Sequence, residues 1–107
     1  MTGKLIVFVT CGSREEGESI AVSVVNERLA ACVNVLPAVR SCYVWEGKTT
    51  WSDEVLLLIK TTDERFMALQ SRIRELHSYE VPEIVAVPIE GGFEKYLQWV
   101  EQSSRGN

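Results

Sequence analysis

Apolar and polar positions alternate with different periods along this chain, and each change of period marks an element. Lys4 to Thr10 is an almost unbroken apolar run, which predicts a strand, β1, buried on both faces. The run stops at TCGSREE, where Ser13 with Glu16 three residues on has the spacing of a capping box and opens a helix. That helix is expected to reach about Ala31. Ile20, Ala21, Val24, Val25 and Leu29 form its apolar stripe, and Arg14, Glu15, Glu18, Glu27 and Arg28 its wet side.

Two long strands follow in CVNVLPAVRSCYVWEGKTTWSDEVLLLIKT, joined at Glu46-Gly47-Lys48, where glycine makes positive φ cheap. Val39, Ser41, Tyr43 and Trp45 share one face. Thr49, Trp51, Asp53, Val55, Leu57 and Ile59 alternate in the same way on the partner strand. Pro37 cannot donate to a ladder and marks a bulge or an edge. Each strand is about twice the usual length. An arm this long, with Tyr43, Trp45 and Trp51 near its tip, outruns what two short helices can cover. It is therefore read as an oligomerisation arm.

Thr61 and Glu64 repeat the capping-box spacing and are expected to open the second helix, with Phe66, Leu69, Ile73 and Leu76 as its stripe. It ends near His77, and Pro82 forbids continuation. Glu83 to Pro88 reads as a fourth strand. FEKYLQWVEQ reads as a short last helix packed through Phe93, Leu97 and Val100, and SSRGN as a frayed tail. The order βαββαβ plus a helix is the split arrangement of ferredoxin-like α+β folds. Both long helices should lie on one face of a four-stranded antiparallel sheet, leaving the other face bare unless further subunits cover it.

Composition narrows the class. The 107 residues form one domain spanning 1–107, and 46% hydrophobic content is ordinary for a globular chain. No apolar run approaches the ~20 residues that span a bilayer, so a membrane partner is not expected. The start of the chain shows no small-residue cleavage site, which points to the cytoplasm. A net charge of −4 argues against nucleic acid. Three cysteines without a CxxC pair do not make a disulfide framework.

The one histidine lies in HSYEVPEI, with Glu80 and Glu83 close by. Imidazole and carboxylate suit copper, nickel or zinc, yet one His and one carboxylate fall short of a full ligand set. A lone histidine at a helix end is more often structural. Gly12-Ser13-Arg14 sits where a helix N-terminus holds anions, but Glu15 and Glu16 stand beside it and Ser13 serves as the cap. No Ser-His-Asp or Cys-His set can be assembled, so an enzyme is not expected. Cys32 reads as a small packing residue, and neither it nor Cys42 has a basic neighbour that would activate a thiolate.

ERLAACVNVLP, YVWEGK, EVLLLIKTT, HSYEVPEI and YLQWV, in this order and spacing, resemble the CutA family of divalent-cation tolerance proteins. The resemblance covers nearly the whole chain. It implies a ferredoxin-like subunit in a tight homotrimer, with sheets packed about a threefold axis and hairpins reaching neighbours. It also implies kinship to PII signalling proteins, tolerance to divalent metals, and copper binding for some members. On it rest the metal candidates for Cu(II) or another divalent cation: His77, Glu80 and Cys11, the last by strand parity with Val9. Ser78 stands where the family usually has proline, which is expected to loosen the backbone. Some members carry a second histidine where this chain has Leu76. In the implied trimer, a cleft between subunits would gather Trp45, Glu54, Lys60, His77, Tyr79 and Glu80 for a small ligand, a PII-like alternative to metal binding.

Overall fold

The computed structural model describes residues Thr2 to Gly106. Its elements are β1 (Lys4–Cys11), α1 (Arg14–Asn26), β2 (Cys32–Trp45), β3 (Lys48–Thr62), a 3-10 turn (Asp63–Arg65), α2 (Phe66–Leu76), β4 (Ile84–Pro88) and α3 (Glu94–Ser103). The strands form one antiparallel sheet in the order β2-β3-β1-β4. This is the α+β arrangement expected from the element order.

Ser13 Oγ accepts the Glu16 N–H at 3.1 Å, so the cap of α1 forms as the sequence predicts. The helix ends at Asn26 rather than near Ala31. Arg28 takes a φ of 58°, and the Leu29 and Ala30 amides turn back to the Val24 carbonyl. Leu29, Ala30 and Ala31 are still buried, because the Ala31 amide donates to the Lys60 carbonyl and carries the chain into the sheet.

The second capping box does not form. Thr61 is a buried strand residue paired with Leu5, and its hydroxyl donates to the Leu29 carbonyl at 2.7 Å. A β-branched residue that also satisfies a buried carbonyl stabilises the sheet more than it would a helix end. The 3-10 turn intervenes before α2 begins.

Glu46 and Gly47 form a two-residue turn with φ of 50° and 80°, the geometry whose twist matches the flanking strands. Pairing between β2 and β3 jumps from Leu36–Leu56 to Val39–Glu54, so Pro37 and Ala38 oppose Val55 alone as a bulge. Trp45 and Trp51 do not share a face: Trp51 pairs with Cys42, and Trp45 with Lys48.

The core lies between the sheet and α1 and α2. Val7, Val9 and Cys11 of β1 and Val55, Leu57 and Ile59 of β3 meet Ile20, Val24, Leu69 and Ile73 there. Gly17 lets α1 approach closely, since a Cβ there would stand 2.9 Å from Val55 Cγ2. The expectation that β1 is buried on both faces fails: Leu5, Val7, Val9 and Cys11 are buried, whereas the residues between them are only partly covered. Ile6, Phe8, Leu56 and Leu58, with exposed Val85 and Val87, make the second face apolar.

That second face is not wholly bare. α3 lies over its end, with the Tyr96 hydroxyl 3.8 Å from Cys32 Sγ and Lys4 Nζ 3.3 Å from Glu101. Leu97 and Val100 are buried as expected, but Phe93 is 74% exposed and does not pack. Nor is the tail frayed from its start: Ser104 is buried, and its hydroxyl donates to the Val100 carbonyl at 2.8 Å. Asn107 lies outside the described residues.

Candidate functional site

β1 ends at Cys11, opposite Val55, while β3 runs on from Lys48, so the last stretch of the arm has no neighbour on that side. The segment between α2 and β4 passes this end of β1 and leaves a cleft of about 870 Å³. Thr10 contributes from β1, Ser41, Tyr43, Trp45, Ser52 and Glu54 from the arm, and Tyr79, Glu80, Val81 and Glu83 from the segment before β4. The arm's reach also gives the chain its elongated outline of 45 × 25 × 22 Å.

His77 holds this segment in place. Its Nε2 lies 2.7 Å from the Thr10 carbonyl oxygen. A carbonyl only accepts, so the ring proton is on Nε2. Nδ1 then carries the lone pair and accepts the Tyr79 N–H at 3.0 Å. Both nitrogens are committed inside the protein, and the side chain is fully buried. Glu16 stands nearby, with Oε2 3.7 Å from Nδ1. Its carboxylate accepts the Ser78 N–H at 2.6 Å and the Ser78 hydroxyl at 3.1 Å. The backbone at Ser78 is therefore tied rather than loosened, through an N–H that a proline would lack.

The ring of Tyr79 packs against His77 at 4.6 Å between centroids, and its hydroxyl donates to Glu54 Oε2 at 2.7 Å. Burial first, then the hydrogen bond to Glu54 and its negative charge, push the Tyr79 hydroxyl well above its ordinary value. The phenol stays protonated and fixes one wall of the cleft.

The three candidate metal ligands do not come together. Cys11 is in the core on the face covered by α1, and burial, with Glu16 and Glu54 adding to it, pushes its thiol up to about 12. Strand parity placed it beside Val9 correctly, but that side is the helix-covered one. His77 offers no free lone pair, and Glu80 lies exposed in the cleft wall. Among the described residues, no group of three or more His, Cys, Asp and Glu side chains is placed to hold a metal ion. The side chains present do not fit a resident copper site at His77.

Of the cleft candidates, Trp45, Glu54, Tyr79 and Glu80 are brought together. Lys60 is not in the single chain: it shares a face with Glu54 but lies farther along β3, where it pairs with Ile6 and Cys32 and its ammonium bonds the Asn34 side chain. Reading the sequence put no weight at the site on Glu16 or Thr10. Glu16 carried a signal, since its capping-box position promised a bond back to the helix start, and the structure turns that carboxylate to Ser78 instead. Thr10 acts on His77 through a backbone carbonyl, which no residue type announces.

The single antiparallel sheet, its long arm and the cleft at the end of β1 define an α+β protein of ferredoxin-like arrangement. The CutA1 divalent ion tolerance protein family matches residues 5–103, and the chain belongs to that family. The chloroplastic protein CutA of Arabidopsis thaliana is 46% identical over 101 residues, covering 94% of this chain and 56% of the relative. The divalent-cation tolerance protein CutA of Thermus thermophilus is 46% identical over 99 residues, covering 92% of this chain and 96% of that protein. A crystal structure of CutA1 from Oryza sativa matches with a TM-score of 0.94 at 43% identity and covers 98% of both chains. The chain spans a little over half the length of the plant sequences it matches.

Proposed function

We propose that this protein serves tolerance to divalent cations as a cytoplasmic homotrimer that senses a small ligand in the cleft, in the manner of PII-like modules. In this reading it is not an enzyme and does not hold copper through His77. The observation that carries the reading is the division of labour around His77. The imidazole commits both nitrogens to backbone, while Tyr79 and Glu54 present a pre-set wall to solvent.

The trimer is supported by the apolar second face. Val85 and Val87 are 52% and 43% exposed beside Phe8 and Leu58, and a second copy is the natural cover for such a surface. The exposed aromatic tip of the arm supports the same assembly.

Calorimetric titration of Cu(II) into the purified protein, beside a His77→Ala variant, tests the reading. The expected result is the same response from both proteins. Saturable binding that disappears with the imidazole would overturn the reading and make direct copper handling the function. In cells, Trp45→Ala should raise sensitivity to divalent metal salts if the cleft carries the response.

A further inference from the structure

We propose that His77 is an acid-released latch on the segment before β4: a proton taken up at Nδ1 moves that nitrogen's bond from the Tyr79 N–H to the Glu16 carboxylate. The latch works within one chain and does not depend on what the cleft binds.

No helix or strand supports the chain between Leu76 and Ile84. Among the described residues, only two backbone amides of 78–83 find partners, and both partners are side chains that can titrate. The Ser78 N–H goes to Glu16, and the Tyr79 N–H goes to Nδ1 of His77. Tyr79 is also held through its hydroxyl on Glu54, and Glu83 by a long contact of 3.5 Å from Thr10 Oγ1. The segment is thus placed by the protonation states of a few side chains, not by a ladder of amide bonds.

The ring proton sits on Nε2 and faces the Thr10 carbonyl at 2.7 Å. A second proton can enter only at Nδ1, where it would point at the Tyr79 N–H, donor against donor. That amide bond cannot survive protonation. A charged ring, fully buried, then needs a counter-charge. Glu16 Oε2 stands 3.7 Å from Nδ1, just beyond a hydrogen bond, on a side chain that is 17% exposed. A small shift of this carboxylate completes a charge-assisted bond to the imidazolium and draws it off Ser78. One proton therefore loosens both amide anchors.

The surroundings leave Glu16 as the receiver. β1 brings the Thr10 carbonyl and Cys11, whose thiol is pushed up to about 12 by burial and stays protonated. From β3, Glu54 reaches the segment through the Tyr79 hydroxyl and does not bond the ring. On α1, Glu15 is exposed and Arg14 is taken by Glu18 at 2.7 Å. On α2, Arg74 is exposed and Glu75 pairs with Arg72 at 3.3 Å. Glu80 and Glu83 face the cleft. Among the described residues, Glu16 is the one charged side chain within ion-pair distance of the ring.

The test is NMR of the intact protein from about pH 8 to about pH 5, the range in which histidine is the side chain suited to change charge. Imidazole nitrogen shifts report the ring proton, and hydrogen exchange reports the protection of the Ser78 and Tyr79 amides. Wild type is compared with His77→Gln, which keeps an N–H on the Thr10 carbonyl but takes up no proton. Glu16→Gln keeps an acceptor for Ser78 but removes the charge, and circular dichroism confirms that each variant is folded. The expected result is protonation at Nδ1 with a fall of about tenfold in the protection of both amides at the same midpoint, while β1 and β3 keep theirs. His77→Gln should lack this step, and Glu16→Gln should move it about one pH unit lower. A ring that gains no proton until the whole sheet loses protection overturns the latch, as does protonation that leaves Tyr79 protected. The same step in His77→Gln assigns it to a carboxylate, and an unmoved midpoint in Glu16→Gln removes Glu16 as the receiver; either overturns the proposal. If His77→Gln does not fold, coincidence of the ring and amide midpoints in wild type and the shift in Glu16→Gln decide the matter.

Discussion

The Glu16 carboxylate takes both the N–H and the hydroxyl of Ser78, 62 residues away, at 2.6 and 3.1 Å. One acidic side chain at the start of α1 thereby fastens the chain just beyond the end of α2. With His77 bonded to Thr10 next to it, the end of the helical layer is pinned to the strand on which the cleft opens. Tyr79 leaves this pinned segment with little freedom, which is what a preformed binding wall needs.

Replacing His77 with alanine should cost about 2 to 4 kcal/mol of stability, because it removes a buried ring and leaves the Thr10 carbonyl and Tyr79 amide without partners. Urea unfolding followed by circular dichroism measures this. A loss near zero would mean that the two backbone groups find water at no cost and that the ring is not a fastener.

Cys11 supplies a pH dependence. Its thiol ionises near 9.0 in the unfolded chain and near 12 when folded, so below pH 9 it is protonated in both states and its protonation does not oppose folding. As pH rises above 9.0 the unfolded form gains a stabilising ionisation that the core denies, and stability falls progressively up to the folded value of about 12. Unfolding midpoints should therefore decline through this alkaline window, and less steeply in Cys11→Ala. In thiol labelling of the native protein, Cys42 should react and Cys11 only after denaturation. Rapid native labelling of Cys11 would contradict its placement.

The arm should decide assembly. A variant whose tip, residues 44–52, is replaced by a short turn should sediment as a smaller species than the proposed trimer. Its circular dichroism should be otherwise preserved, since the core lies toward the other end of β3. An unchanged sedimentation coefficient per chain mass would move the interface wholly onto the sheet's second face. A stable monomer of the intact chain at micromolar concentration would refute the oligomer itself.

What the sequence disclosed, and what it hid, follows from the range of each interaction. The turn at Glu46-Gly47, read as reaching Lys48, Pro37 as a bulge or an edge, and Ser13 as a cap are set by neighbours a few residues away; the turn proves one residue shorter, Pro37 sits in a bulge, and the cap forms. Thr61 misled because its spacing to Glu64 looks like a cap, while its partner, the Leu29 carbonyl, is 32 residues distant. β1 misled because hydrophobicity does not say which cover it meets: one face has helices and the other is only half covered within a subunit. At the site, Trp45, Glu54, Lys60, Tyr79 and Glu80 were read for a cleft between subunits; in the single chain four of them line one cleft, and Lys60 stands farther along β3. His77 and Cys11 were nominated for metal by the family resemblance together with the chemistry of their side chains. That chemistry is taken up by backbone or shut off by the core, which only the folded chain reveals.

The bulge at Pro37 and Ala38 determines more than the curvature of β2. Leu36 faces Leu56 and Val39 faces Glu54, so even-numbered residues before the bulge and odd-numbered ones after it stand on one side of the sheet. The arm thus stores one spare residue, and where a residue is lost decides what becomes of the cleft. Deleting Ala38 would straighten β2 and leave Tyr43 and Trp45 on the side of Glu54. Deleting Cys42 instead, with the hairpin turn kept, would draw the spare residue forward and dissolve the bulge. Arg40 would then face Ser52 and bring its guanidinium to the side where the carboxylates now stand beside aromatic rings. Two deletions four positions apart, equal in length and neither touching a charged residue, would part ways: one leaves the wall as it is, the other sets an arginine into it.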